Sequence, residues 1–191
     1  MPKRKLPVAP AAIARPAQGL EWDLAPKALD QWNPGVRAAA DDDNTIGIYD
    51  VIGYDPWTGE GVTAKRISAA LRAIGAENPV TVNINSPGGD LFEGLAIYNL
   101  LRSHKGHVTV RILSLAASAA SVIAMAGDTV QIARAGFLMI HNAWVLAVGN
   151  RHALRDIADW LEPFDATMAD LYAARTGLDE GEVAQMMDME S

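Results

Sequence analysis

The chain has 191 residues, half of them apolar and a fifth charged, with a mean hydropathy of +0.06. That composition excludes a highly charged disordered chain, which could not bury enough apolar surface to offset its ordering entropy, and the length suits one domain with a substantial core. There is no cysteine, which removes disulfides, thiolate catalysis and cysteine metal sites together. The formal charge of −7 is unevenly placed: residues 1–44 carry six basic against six acidic groups, 45–150 seven against seven, and 151–191 three against ten. This distribution gives no basic surface for nucleic acid. The longest stretches without a charge, Ile112–Gly127 and Ala135–Asn150, are 16 residues each, short of the roughly 18 that a membrane span needs. A soluble protein without membrane partners is expected. Met1-Pro2-Lys3-Arg4-Lys5 has the charge of a signal peptide, but Pro7 and Pro10 interrupt the next few residues before an apolar helix could form, so secretion is not expected.

Residues 1–44 hold six of the ten prolines and ten alanines, show no sustained period, and read as a flexible arm in which Trp22 and Trp32 could anchor on a partner or pack locally. From Thr45 to Ile52 the pattern is β-branched and apolar; next come a turn-rich stretch through Asp55-Pro56 and then Val62 to Ile74 at helical spacing. Pro79 to Asn85 is a second strand, broken by Ser86-Pro87-Gly88-Gly89. Leu91, Leu95, Ala96, Tyr98 and Leu101 give the next helix its apolar face. His107 to Leu113 is a strand, Ala116 to Ala126 a small-residue helix, and Asp128 to Ile132 and Phe137 to Ile140 are strands. Strands alternating with helices predict an α/β fold with a mostly parallel sheet. In 151–176, Leu154, Ile157, Trp160, Leu161, Phe164, Met168 and Leu171 recur every three or four residues, the mark of a long amphipathic helix, which Gly177 stops. Glu180 to Met187 reads as one more short helix.

Two segments could carry chemistry. In Ser86-Pro87-Gly88-Gly89, proline fixes one turn angle and the glycines let bare N–H groups face a cleft, as an anion or oxyanion requires; an ordinary strand-to-helix turn uses the same residues. In Leu115-Ala116-Ala117-Ser118-Ala119-Ala120-Ser121, a serine sits at a predicted helix start, where unsatisfied N–H groups favour developing negative charge. Ser118 or Ser121 could equally be a helix cap or a packing residue. An activated serine needs a base. His104 and His107 flank a polar turn and His152 opens the acidic helix, so these three are expected to be solvated. His141 ends an apolar strand, where α/β sheets display active groups, although a histidine there can also be structural. No spacing of His, Asp and Glu suggests a metal site, and no cofactor is called for.

Taken together, Asn83-Ile84-Asn85-Ser86-Pro87-Gly88-Gly89, then Ala116-Ala117-Ser118 with Gly127 nine residues beyond the serine, then Met139-Ile140-His141, resemble the ClpP family of serine peptidases, and within it the phage and prophage head maturation proteases. The resemblance covers residues 45–190 in order and spacing. It implies the ClpP/crotonase-like fold of repeated β-β-α units with a long C-terminal handle helix, a peptidase domain over 45–191, and an arm of 1–44 outside it. It makes Ser118 the nucleophile, His141 the general base, and the backbone N–H groups of Gly88 and Ala119 the oxyanion hole. Family spacing brings the orienting acid to Glu190, a glutamate in place of the usual aspartate, with Asp188 as the competing choice. The Gly88-Gly89 edge would hold an extended substrate by strand addition. Relatives continue beyond the position of Ser191, so a shortened C-terminus is expected.

The implied function is a serine endopeptidase with an ATP-independent core and no cofactor. It would trim capsid or scaffold polypeptides inside a homo-oligomeric ring paired through helix 151–176, in a bacterial host cytoplasm or a phage procapsid. Two other readings use the same residues. An inert ClpP-like assembly protein would need the body and the arm but not Ser118. A crotonase-type acyl-CoA enzyme would need glycine-rich backbone donors for an enolate but not the Ser118/His141 pair.

Overall fold

A computed structural model of the chain describes residues 21–22, 44–54 and 61–190. The turn at Asp55-Pro56, Ser191 and the rest of the 1–44 arm, Trp32 included, lie outside the described residues. Residues 44–54 and 61–139 belong to one compact unit, and 21–22 with 140–190 to a second.

The first unit is built on strands β2 (Thr45–Ile48), β3 (Val80–Ser86), β4 (Val108–Ala117), β5 (Thr129–Ile132) and β6 (Phe137–Met139). Every pairing is parallel, with β3 between β2 and β4. The far edge of β4 is shared, by β5 along Thr109–Ile112 and by β6 along Leu115–Ala117. Parallel neighbours require crossovers, supplied by α1 (Ala64–Ile74), α2 (Leu91–Ser103) and α3 (Ala119–Ala124). Val82, Ile84, Val110 and Ile112 are wholly buried, as expected of strands covered on both faces. The α/β architecture with a mostly parallel sheet agrees with the expectation from sequence.

Several boundaries differ for identifiable reasons. β2 stops at Ile48, and Ile52 makes only isolated bridges to Val62 and Gly89; the Asp50 carboxylate takes the Val51 N–H at 2.8 Å, a local bond that competes with the ladder. β4 runs to Ala117 instead of ending at Leu113, because β6 pairs with Leu115–Ala117 and overrides the helix preference of the alanines. The helix therefore starts at Ala119, not Ala116, and ends at Ala124. In α2 the buried face is Leu91, Gly94, Ile97, Tyr98 and Leu101, while Leu95 is half-buried and Ala96 exposed. Gly94 sets that rotation: a Cβ there would lie 3.0 Å from the Cβ of Ala119, so α2 approaches α3 through its glycine. His104 is not solvated but buried, its Nε2 lying 2.8 Å from the Asn78 carbonyl oxygen.

In the second unit α4 (Arg151–Thr176) has the predicted bounds. The Asn150 side chain accepts from the His152 and Ala153 N–H groups at its start, and Gly177, at φ 77°, closes it in the left-handed conformation. Ile157, Trp160, Phe164, Met168 and Leu171 are buried, but Leu154 is exposed and Leu161 half-buried. Trp160 meets Phe164 edge-to-face at 4.9 Å. Helix α5 (Glu180–Asp188) packs against α4 and buries Val183 and Met187. Two short strands have no counterpart in the sequence pattern: β1 (Glu21–Trp22), inside the segment read as an arm, pairs antiparallel with β7 (Val145–Leu146). Two residues cannot display a period of two, so neither left a mark. Among the described residues no helix is long and apolar enough to cross a membrane.

Candidate active site

Ser118 is the joint between β4 and α3. Its backbone has φ 55° and ψ −128°, and with Glu190 it is one of two non-glycine residues at positive φ among those described. Such a conformation costs on the order of 1–3 kcal/mol and persists only where surroundings over-determine it. Here its N–H donates to the Met139 carbonyl at 3.0 Å, and its own carbonyl accepts from the N–H groups of Ser121 at 2.9 Å and Val122 at 3.3 Å. The Ser121 hydroxyl adds a fourth bond, to the same carbonyl, at 2.6 Å. Ser121 is wholly buried and so pins the turn. Ser118 itself makes no side-chain capping bond, so the capping alternative does not describe it. It is half-buried between buried alanines at 116, 117, 119 and 120.

The glycine loop lies against this turn. Gly88 (φ 96°) passes so near that a Cβ would come 2.5 Å from the Ser118 Cβ, 2.7 Å from the Ala117 oxygen and 3.0 Å from the Ala119 nitrogen. Gly88, Ser118 and Ala119 are thus brought together. Between β3 and β4 the register shifts, Ile84 facing Ile112 but Ser86 facing Ala116, an irregularity that re-aims the strand ends. Ser86, wholly buried, ties the loop down: its hydroxyl donates to the Asp50 carbonyl at 2.6 Å and accepts the Gly88 N–H at 3.2 Å. On the other side the Gly88 carbonyl accepts the Ile52 N–H at 2.7 Å, and Gly89 bridges to Ile52. One edge of the loop is therefore already paired. Ala119 and Ala120 are the first residues of α3 and have no intrahelical acceptor for their N–H groups.

In the second unit His141 is buried. Its Nε2 is shielded from solvent and has no hydrogen-bond partner among the described residues. Burial pulls its pKa below the ordinary value of 6.5, against a hydrogen bond with the Asn142 backbone and the negative charge of Glu190, which both raise it. The imidazole is accordingly neutral near pH 7. Of the two acids considered, Glu190 acts on His141 through its charge, whereas the Asp188 carboxylate accepts from Asn142 Nδ2 at 2.7 Å. Asp165 of α4 accepts the Ala143 N–H at 2.6 Å, and burial pushes its own pKa up. Ser86 and Ser121 lie in the two segments singled out from the sequence, whereas Asn142 was marked only by its adjacency to His141 and Asp165 by nothing local, since its partner Ala143 lies 22 positions away.

A parallel α/β core that holds a strained serine at a strand-to-helix turn, beside a glycine loop with close backbone approach, defines a class of hydrolase-like folds. The chain belongs to the Clp protease family, whose model matches residues 60–191. Similar proteins include the ATP-dependent Clp protease proteolytic subunit of Deinococcus radiodurans, 31% identical over 134 residues, which cover 68% of this chain and 66% of that relative. Proteolytic subunit 2 of Treponema denticola is 32% identical over 122 residues, 62% of this chain and 60% of the relative. Proteolytic subunit 1 of Prochlorococcus marinus is 31% identical over 122 residues, 61% and 63% respectively. The chain spans less than two thirds of the length of these curated relatives.

Proposed function

We propose that the chain is a serine endopeptidase of the ClpP type, with an ATP-independent peptidase core over residues 45–191 and an arm of 1–44. Ser118 Oγ attacks a peptide carbonyl as His141 Nε2 takes its proton. The N–H groups of Gly88 and Ala119 hold the oxyanion, and the imidazolium returns the proton to the leaving amine. Water, activated by the same histidine, then releases the acyl group and regenerates Ser118. Glu190 stabilises the imidazolium. The Gly88 N–H rests on Ser86 Oγ at 3.2 Å, at the long end for such a bond, and a developing oxyanion is the stronger acceptor.

The observation that carries this reading is the backbone of Ser118, strained, held by four hydrogen bonds and serving no cap. A structural serine would have no reason to be held there. By kinship the substrate class is the polypeptide, bound extended beside the Gly88-Gly89 loop. The working assembly is a homo-oligomeric ring joined through α4, and the biological task is processing of phage capsid or scaffold polypeptides in a host cytoplasm or procapsid.

Intact-mass analysis after incubation with a fluorophosphonate tests the site. The expected result is a single adduct, absent from Ser118→Ala and formed at least about 100-fold more slowly in His141→Ala. An adduct that persists in Ser118→Ala, or none in the unaltered chain, would overturn the assignment. Sedimentation reads the ring, and Ser118-dependent shortening of a scaffold protein supplied in trans reads the biological role.

A further inference from the structure

We infer that Asp165 is a positioning residue for the proposed base: its carboxylate holds the backbone of Ala143 and, together with the Asp188–Asn142 contact, fixes the segment from which the His141 imidazole projects. The inference rests on the reading of His141 as the base. Residues 140–144 belong to no strand or helix, so no ladder fixes their direction, and backbone donors there must find other acceptors. Two ties reach consecutive residues from different elements. Asp165, in the middle of α4, accepts the Ala143 N–H at 2.6 Å. Asp188, the last residue of α5, accepts from Asn142 Nδ2 at 2.7 Å. Both are short bonds to carboxylate oxygens.

The two ties are unequal. Asp188 is exposed, where water competes for its partner. Asp165 is half-buried, and burial opposes its ionisation; a carboxylate kept there at that cost is accounted for by the N–H it receives. The consequence falls on His141. Its buried Nε2 has no partner of its own among the described residues, so its aim depends on the backbone beneath it. A base misplaced by about 1 Å can lose up to roughly 100-fold in rate, and productive geometry tolerates only about 10–20°.

The test uses full-length variants and two readouts. With a fluorophosphonate and a short peptide, Asp165→Ala should lower the labelling rate and kcat roughly ten- to hundredfold while KM stays within about twofold. Asp165→Asn, which keeps an acceptor oxygen, should recover to within about threefold of the unaltered chain. Asp188→Ala should cost only about threefold, and it keeps the test open if Asp165→Ala does not fold. Independently of activity, Asp165→Ala should speed hydrogen exchange at the Ala143 amide and move the His141 imidazole resonances. A silent unaltered chain would remove the base reading, while the exchange and resonance data would still judge the tie. Unchanged Ala143 exchange, or labelling of Asp165→Ala at the full rate in a chain that labels, would overturn the inference.

Discussion

The turn at Ser118 and the segment at His141 are held by different physics. Around Ser118 backbone and small side chains pack closely: a Cβ added at Gly88 would come 2.5 Å from the Ser118 Cβ and one at Gly94 3.0 Å from the Ala119 Cβ, and four hydrogen bonds fix the peptide groups on either side. Around His141 the backbone is irregular and is held by carboxylates reaching from two helices. The first region should be indifferent to pH and intolerant of volume. The second should accept changes of volume and respond to pH and to the loss of an acceptor. On the proposed reading, a strained nucleophile needs rigid neighbours, whereas a base that must gain and lose a proton is tuned by its surroundings.

The harshest way to break the contrast is Gly88→Ala. The new Cβ would meet Ser118, Ala117 and Ala119 at 3.0 Å or less from a backbone at φ 96°. Stability should fall by about 2 kcal/mol or more, with at least a 100-fold loss of fluorophosphonate labelling; thermal melting and labelling rates check both. Labelling as a function of pH sharpens the other side. Because burial lowers the His141 pKa, the acid limb should lie below the ordinary histidine value of 6.5, and Glu190→Gln, which removes a charge that raises that pKa, should move it lower still.

Stability carries the same signatures with opposite signs. A folded-state pKa below the unfolded one means that the unfolded chain binds more protons, so the His141 contribution is present above 6.5 and lost as pH falls through that window. Asp165 is raised from 3.8, so its contribution is present at low pH and lost as pH rises through its folded value. Asp165→Asn should therefore be no less stable than the unaltered chain near pH 7, measured by denaturant unfolding. At Ser118 the change expected in stability is small. Ser118→Gly relieves the positive φ and should raise stability by roughly 0.5–1 kcal/mol while abolishing labelling.

The sequence displayed the sheet and its crossovers because β-branched runs and helical spacing leave periodic marks, and it singled out Ser118 and His141 as candidates because their neighbours form ordered motifs. It did not display the length of β4, since Ala116 and Ala117 read as helix until β6 supplied a ladder partner. Nor did it display His104 as buried, because the Asn78 carbonyl that satisfies it lies 26 residues away. Asp165 was invisible for the same reason: on the acidic face of α4 it looks like its solvated neighbours, and only its bond to Ala143, 22 residues distant, sets it apart. The strain at Ser118 cannot be read from composition, because serine ordinarily avoids that conformation.

The central claim is that Ser118 carries peptide-bond hydrolysis. It is tested most directly by incubating the full-length chain with an unstructured polypeptide in water enriched in oxygen-18, then analysing the products by mass spectrometry. The account predicts fragments whose new C-termini carry the label, and none from Ser118→Ala handled in parallel. An intact polypeptide with the unaltered chain, or equal cleavage by Ser118→Ala, would contradict it.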